Sequence, residues 1–134
     1  MSGIKNSNSL IAKGLRVSIL ILNPLLSQVV AFKALFTTGI VLQELLQGFA
    51  GPRARAQIIE RFSALPLLTP DRRDHIEAAE LRNTCRRHGI QVGTIDALLA
   101  QLCLRRDLTM LTADADFRNI AKHCALDVWG ADGR

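Results

Sequence analysis

Two carboxylates, Asp114 and Asp116, stand where an apolar run ends and a new helix is predicted to begin. Asp96 and Glu44 occupy comparable positions upstream, each next to a run of apolar residues. Joints of this kind lie together when parallel strands end at one edge of a sheet, which limits the folds that suit this chain. We therefore expect a single cluster of acids, as a divalent metal site needs. A lone Asp at such a joint is more often a helix cap, so the hypothesis rests on the whole set.

Predicted strands and helices alternate along the chain. The predicted strands are residues 17–22, 31–36, 90–92, 108–112 and 126–129, with residues 65–68 either a strand or a connector. The predicted helices are residues 40–49, 53–62, one opened by residues 69–71 and running to about residue 88, one beginning at residue 94, and one from residue 114 or 115 to residue 123. This alternation predicts an α/β fold with a parallel sheet and helices on both faces. Such sheets bind ligands beyond the carboxyl ends of their strands.

Two of these helices have apolar faces that define the predicted core. In the helix that runs to about residue 88, the inward residues are predicted to be Ile76, Ala79, Leu81 and Cys85. The next helix has Thr94 as its predicted N-cap. From residue 95 onward it carries apolar residues at i, i+3, i+4, i+7 and i+8, which is the cleanest helical pattern in the chain.

The composition is that of one globular domain. Of 134 residues, 49% are hydrophobic and 22% are charged, which supplies a core but leaves no room for a second domain. Lys and Arg number 17 against 12 acids, so the formal net charge of +5 favours binding to polyanions, with nucleic acid the first candidate. Arginines at residues 53 and 55, 72 and 73, 86 and 87, and 105 and 106 are candidate phosphate contacts, although each pair also fits an ordinary solvated helix surface.

The cysteines favour a reducing compartment. Cys85, Cys103 and Cys124 are odd in number, lack CxxC spacing and mostly fall on apolar positions, so we expect reduced thiols, no disulfide and a cytoplasmic location. Cys85 and His88 are spaced to share a helix face, whereas the adjacent His123 and Cys124 point about 100° apart on a helix. We therefore favour buried cysteines and surface histidines over a zinc site.

The N-terminal region resembles a signal peptide in outline, because residues 17–32 carry no charge and follow three basic residues. Asn23 and Pro24 interrupt this stretch, which is shorter than the roughly 20 residues of a membrane-spanning helix, and no clear cleavage site follows. We expect no membrane segment. Residues 17–22 are interpreted as a buried strand, since Pro24 disfavours a helical conformation in the residue before it.

Three short motifs resemble the PIN-domain ribonucleases of the VapC toxin type. They are QELLQG at residues 43–48, GTIDALLA at residues 93–100 and LTADADF at residues 111–117, and the similarity extends from about residue 35 to residue 130. The resemblance implies a PIN-like α/β/α sandwich with a central, mostly parallel sheet. It also implies a homodimer that cleaves RNA with Mg²⁺ or Mn²⁺ and is held silent by a cognate antitoxin.

The resemblance also implies which residues form the site. Glu44, Asp96 and Asp114 correspond to the catalytic, metal-binding carboxylates, and Asp116 corresponds to a fourth, supporting metal ligand. Thr94 lies in the same motif as Asp96 and is a candidate hydrogen-bonding partner within the cluster. Clustered acids repel one another until a cation arrives, so we expect metal binding to organise the site.

The N-terminal part departs from the family pattern. In the family the first strand usually ends in an Asp that is followed by Thr or Ser, whereas this chain has no Asp or Glu before Glu44. Asn23, at the end of the strand predicted over residues 17–22, offers only a neutral carbonyl oxygen, which is a weaker ligand for Mg²⁺. We therefore divide the chain into an atypical N-terminal segment, residues 1–34, and a PIN-like domain core, residues 35–134.

Two functions stay open on the sequence alone. The first is a metal-dependent endoribonuclease of the toxin–antitoxin type that hydrolyses RNA phosphodiester bonds, with water or Asn23 in place of the missing acid. The second is a catalytically impaired PIN module that binds RNA, an antitoxin or another partner protein. The four acids favour the first function, and the missing first-strand acid favours the second.

Overall fold

Parallel strand pairing builds the sheet of this protein. The computed structural model describes residues 9–11, 35–48, 51–112 and 114–129. Within these ranges the strands are β1 (Ser9–Ile11), β2 (Leu35–Thr38), β3 (Leu67–Leu68), β4 (Thr109–Leu111) and β5 (Asp127–Trp129). They form a five-stranded sheet in the order β3-β2-β1-β4-β5, in which each neighbouring pair is parallel. The central strand β1 pairs Ser9 with Leu35 of β2 on one side and with Thr109 of β4 on the other.

Local chemistry explains where the helices begin. The helices of the described ranges are α1 (Gly39–Gly48), α2 (Pro52–Phe62), α3 (Arg72–Arg87), α4 (Thr94–Arg106) and α5 (Asp116–Ala121). Thr38 ends β2, and its Oγ1 accepts a 3.2 Å hydrogen bond from the backbone N–H of Val41 in the first turn of α1. Pro52 is the first residue of α2, a position where its missing N–H does not disturb the helix. Asp71 and Asp74 form a reciprocal capping box at the start of α3.

The predicted α/β fold with a parallel sheet is confirmed, but the strand predicted over residues 90–92 is wrong. Gly89 adopts a φ of +78°, which ends α3, and the N–H of Ile90 then donates to the carbonyl of Cys85 in the last turn of that helix. The carbonyl of Val92 accepts a 2.7 Å hydrogen bond from Nε of Arg82. The segment therefore uses its backbone groups to close one helix and lead into the next.

Two further predicted boundaries of helices and strands differ from those in the structure, and a third prediction lies outside the described residues. Gly93, with an extended backbone and no side-chain cap, is the N-cap of α4, so Thr94 is its first helical residue. The strand predicted over residues 31–36 appears at Leu35–Thr38 in the described part of the chain. The strand predicted over residues 17–22, together with Asn23 at its end, lies outside the described residues.

The core contains buried apolar residues of all five described helices and of β4. Its largest fully buried apolar side chains are those of Val41, Ile58, Leu99, Leu102, Met110, Phe117 and Ile120. Met110 belongs to β4, so this strand connects the core to the sheet edge at which the acids gather. Among the described helices, none is both long enough and apolar enough to cross a lipid bilayer.

Helix α3 packs on a different face from the predicted one. Leu81 and Cys85 are buried as predicted, but Ile76 is 57% exposed and Ala79 is exposed as well. Asp74 and Ala78 take the inward positions instead. The buried carboxylate of Asp74 accounts for this rotation of the helix, because its charged partners lie on α4.

A buried ion-pair network joins α3 to α4. Asp74 is 0% exposed, and its two carboxylate oxygens accept hydrogen bonds of 3.1 Å from Nη1 and Nη2 of Arg106. Arg105 bridges the same Asp74 at 3.1 Å and Asp71 at 2.7 Å. Burial alone would raise the pKa of Asp74, but hydrogen bonds from Arg106, from the Asp71 backbone and from Arg105 hold that pKa well below its usual range. Gln101 adds a 2.6 Å hydrogen bond to Glu77 across the same interface.

We expect Asp74→Asn to lower the free energy of unfolding at pH 7 by about 3 kcal/mol, because it leaves two arginines without their buried counter-charge. The lowered pKa means that the carboxylate of Asp74 stabilises the fold above the unfolded-state pKa of about 3.9, and that this stabilisation is lost as pH falls through the folded-state pKa. The difference between wild type and Asp74→Asn should therefore shrink below about pH 4. Urea unfolding followed by circular dichroism at several pH values measures both effects.

Glu80→Gln provides the control, since Glu80 is exposed on the same helix and the change removes the same charge. Its effect on stability should stay within about 0.5 kcal/mol. Equal stability of Asp74→Asn and wild type at pH 7 would show that the network does not hold the two helices together.

Candidate metal centre

Three acids meet where β4 ends and α4 begins. Asp96 lies in the first turn of α4, Asp114 follows β4, and Asp116 is the first residue of α5. One carboxylate oxygen of each residue lies within 4.8 Å of those of the other two. The structure thus brings together three of the four predicted acids, at a separation that one cation and its coordinated water can span.

The three carboxylates differ in their access to solvent. Asp96 is only 6% exposed, Asp114 is half-buried, and Asp116 is exposed. Asp96 lies in the first helical turn of α4, at the end of the helix whose macrodipole attracts negative charge. The cluster therefore has a fixed, buried acid at its base and an open side at Asp116.

Two hydrogen bonds between residues close in sequence shape the loop that carries Asp114 and Asp116. Oγ1 of Thr112, directly after β4, accepts the backbone N–H of Asp114 at 3.0 Å. Oδ1 of Asp114 in turn accepts the backbone N–H of Asp116 at 3.0 Å. Asp114 thereby forms an Asx-type turn that leads into α5, whose N-cap is Ala115, while one of its oxygens also reaches the cluster.

Glu44 lies on α1 and is not a member of this group of three. Its side chain is half-buried, and Oε1 is a buried atom that accepts no hydrogen bond within the described part of the chain. A buried carboxylate oxygen without a donor is an unsatisfied acceptor, which a cation or its coordinated water would satisfy. Because the acids offer only carboxylate oxygens, the donor set fits a hard divalent cation such as Mg²⁺ or Mn²⁺.

Thr94 has an exposed side chain and lines an open groove between α3 and α4. The groove also contains His75, Arg82 and Leu98. Asp96, two residues further along α4, is not among the residues that line the groove. Its buried carboxylate belongs to the acidic cluster instead.

The cysteines and histidines lie apart from the cluster. Cys85 and Cys103 are buried, and burial raises the pKa of both thiols, which keeps them protonated and poor metal ligands. His88 and His123 are exposed, and their rings stack with centroids 4.5 Å apart. The group of three potential metal ligands in the described ranges consists of acids alone, Asp96, Asp114 and Asp116.

The structure separates the candidate arginines into two kinds. Arg105 and Arg106 are committed to Asp71 and to the buried Asp74, so these two are structural. Arg73 pairs with Glu77 on the same helix, but its side chain is 68% exposed. The side chains of residues 53, 55, 72, 86 and 87 are exposed on α2 and α3. These remain available as contacts for a polyanion.

Comparison with protein families decides the class of this fold. The family model of the PIN domain matches residues 21–123, which is most of the chain. The chain belongs to the PIN domain family. The predicted resemblance is therefore confirmed, and the five-stranded parallel sheet with its helices is a PIN fold.

Several solved structures share this PIN fold. VapBC2 from Rickettsia felis, bound to a DNA fragment from its promoter, matches with a TM-score of 0.70 and 18% identity, covering 92% of this chain and 98% of that chain. VapBC-5 from Mycobacterium tuberculosis, a member of the VapBC family of toxin–antitoxin systems, gives 0.68 and 20%, covering 90% and 96%. VapBC-1 from nontypeable Haemophilus influenzae gives 0.68 and 18%, covering 92% and 97%.

One polar residue of this PIN domain escaped the sequence analysis. Thr112 was assigned to a predicted strand and given no part in the site, yet its hydroxyl contacts the backbone of Asp114. The spacing could have revealed it, because a Thr side chain often accepts the N–H of the residue two positions later where a strand turns into a loop.

Proposed function

We propose that this PIN domain is a divalent-metal-dependent endoribonuclease of the toxin–antitoxin type. Asp96, Asp114 and Asp116 would hold Mg²⁺ or Mn²⁺, and Glu44 would contribute as a further metal-site carboxylate. The observation that carries the proposal is the meeting of three carboxylates within 4.8 Å in a chain of this family.

The residues of the cluster suit this chemistry. A bound divalent cation supplies Lewis acidity and an activated water for phosphodiester hydrolysis. Asp96, buried in the first turn of α4, keeps its carboxylate in place, while Asp116 leaves one side of the cluster open to a polyanion. The net charge of +5 and the exposed arginines of α2 and α3 favour the approach of an RNA backbone.

The proposed partners are a cognate antitoxin and a second copy of the chain. Support for the antitoxin comes from the structures of similar fold, which are toxin–antitoxin complexes. The cytoplasm is the proposed location, since the three cysteines are free and a cytosol keeps such thiols reduced.

A second candidate function is a catalytically impaired PIN module that binds RNA or a partner protein. It is supported by the absence of any Asp or Glu before Glu44, which leaves the proposed atypical segment, residues 1–34, without a carboxylate side chain. Strand β1 lies between β2 and β4, and Ile11 pairs with Leu111. The next residue in the sequence after Ile11 is Ala12, which carries no carboxylate.

Metal binding by the cluster should stabilise the fold. At a Mg²⁺ or Mn²⁺ concentration about a hundred times the dissociation constant, we expect about 2.7 kcal/mol of stabilisation and a melting temperature about 5 °C higher or more. Asp96→Asn should abolish that rise and leave the metal-free protein as stable as wild type or more so, because it relieves repulsion between the acids. Differential scanning fluorimetry with and without EDTA measures both.

Asp107→Asn is the matched control for this experiment. Asp107 is exposed and ends α4 in a left-handed conformation with φ 53°, which Asn also adopts readily. It should keep the full metal-induced rise. A melting temperature that does not change across millimolar metal would refute the metal centre.

The second candidate function predicts that RNA cleavage by this chain is very slow or absent. Loss of one carboxylate from the metal site displaces the activated water, and a misplacement of about 1 Å can cost on the order of a hundredfold in rate. Cleavage of a fluorogenic RNA in Mn²⁺, compared with EDTA, measures this. Efficient metal-dependent cleavage that vanishes in Asp96→Asn would instead establish an active ribonuclease and remove the impaired-module alternative.

Ala12→Asp should restore activity if the missing acid is the cause. It adds a carboxylate at the residue that follows β1 in the sequence, and we expect at least a tenfold gain in metal-dependent cleavage, about 1.4 kcal/mol in activation free energy. Ala12→Asn controls for size without adding charge and should give no such gain. Equal rates for the two variants would show that another defect limits the reaction.

A further inference from the structure

We propose that Thr112 is a positioning residue of the metal centre, an inference that rests on the proposed function. Thr112 directly follows β4 and is 3% exposed. Its Oγ1 accepts the backbone N–H of Asp114 at 3.0 Å. The hydroxyl therefore fixes the direction in which the chain leaves the sheet, at the residue that carries the first carboxylate of the loop.

The effect of this hydroxyl extends to a second acid. Oδ1 of Asp114 accepts the backbone N–H of Asp116, the first residue of α5, at 3.0 Å, so the orientation of Asp114 restrains the position of Asp116. Two of the three clustered carboxylates are thus linked to one buried side chain, that of Thr112, directly after β4.

Packing cannot replace this hydrogen bond. Asp96 is held by its buried position in α4, whereas Asp114 is half-buried and Asp116 is exposed. Side chains with that much solvent access are restrained mainly by hydrogen bonds in their own loop. The precise placement of ligand oxygens around a small divalent cation therefore relies on Thr112.

A second buried threonine on the same segment separates positioning from simple packing. Thr109, the first residue of β4, is 5% exposed, and its Oγ1 donates a 2.9 Å hydrogen bond to Oδ2 of Asp127 on β5. This bond ties two strands together at the opposite end of β4 from the acids. Thr109→Val therefore replaces a buried hydroxyl by a methyl group of nearly equal size at the start of β4, away from the acidic cluster.

The test compares four variants of the full chain: Thr112→Val, Thr112→Ala, Thr112→Ser and Thr109→Val. The dissociation constant for Mn²⁺ is measured by isothermal titration calorimetry. We expect Thr112→Val and Thr112→Ala to weaken Mn²⁺ binding about tenfold, the change that corresponds to loss of one hydrogen bond of roughly 1.4 kcal/mol. Thr112→Ser retains the hydroxyl and should bind within about twofold of wild type, as should Thr109→Val.

Amide hydrogen exchange in the metal-free protein gives a readout that does not depend on metal. The N–H of Asp114 should exchange at least tenfold faster in Thr112→Val than in wild type, because its acceptor is gone, and should be unchanged in Thr109→Val. If Thr112→Val does not fold, the comparison of Thr112→Ala with Thr112→Ser decides the same question.

The outcomes distinguish the two proposals. Wild-type Mn²⁺ affinity in both Thr112→Val and Thr112→Ala would overturn the positioning role and leave the metal centre intact. Equal losses in Thr112→Val and Thr109→Val would also overturn it, since the effect would then be one of general stability. Absence of Mn²⁺ binding in wild type, despite faster exchange of the Asp114 amide in Thr112→Val, would overturn the metal centre and with it the positioning of metal ligands by Thr112.

Discussion

The buried carboxylate of Asp74 is the interaction on which the arrangement of this PIN domain depends. It sets the face on which α3 packs and, through Arg105 and Arg106, holds the C-terminal end of α4. The N-terminal end of the same helix carries Asp96 into the acidic cluster. Helix α4 thus links a structural ion pair to the candidate metal centre. Burial of the Asp74 charge is tolerated because both of its carboxylate oxygens accept hydrogen bonds.

Much of the fold follows from local patterns. The helices appear close to their predicted ranges because apolar periodicity, Pro52 at the start of α2 and the helix-ending Gly89 are local features. The orientation of α3 could not be predicted in this way, since Ile76 fits an apolar stripe and the partners of Asp74 lie about thirty residues away. Residues 90–92 are apolar enough for a strand, but Arg82 and the end of α3 take up their hydrogen-bonding groups.

The candidate site likewise combines features that follow from the local sequence with features that depend on tertiary packing. Asp114 and Asp116 follow the predicted strand over residues 108–112, at the edge where parallel strands end, and this position indicated a shared site. Asp96 joins them from the first turn of α4, although the strand predicted before it is absent. Glu44 lies further into its helix than Asp96 does, so its distance from the other acids depends on how α1 sits against the sheet. Sequence spacing says nothing about that packing. The sequence pattern did not single out Thr112, because a predicted strand assigns its side chain only to packing. In the structure its hydroxyl accepts a hydrogen bond from the backbone N–H of Asp114.

The place of β1 in the sheet has a consequence for how the molecule folds. Its three residues form the central strand, and they pair with β4, about a hundred residues later in the chain. During synthesis at about 10 residues per second, β1 waits on the order of 10 s before its second partner leaves the ribosome. The pair α3 and α4, whose contacts are local, can assemble without it. We therefore expect closure of the sheet to be the slow step of folding, with β1 among the last elements to be secured although it is made before its partners.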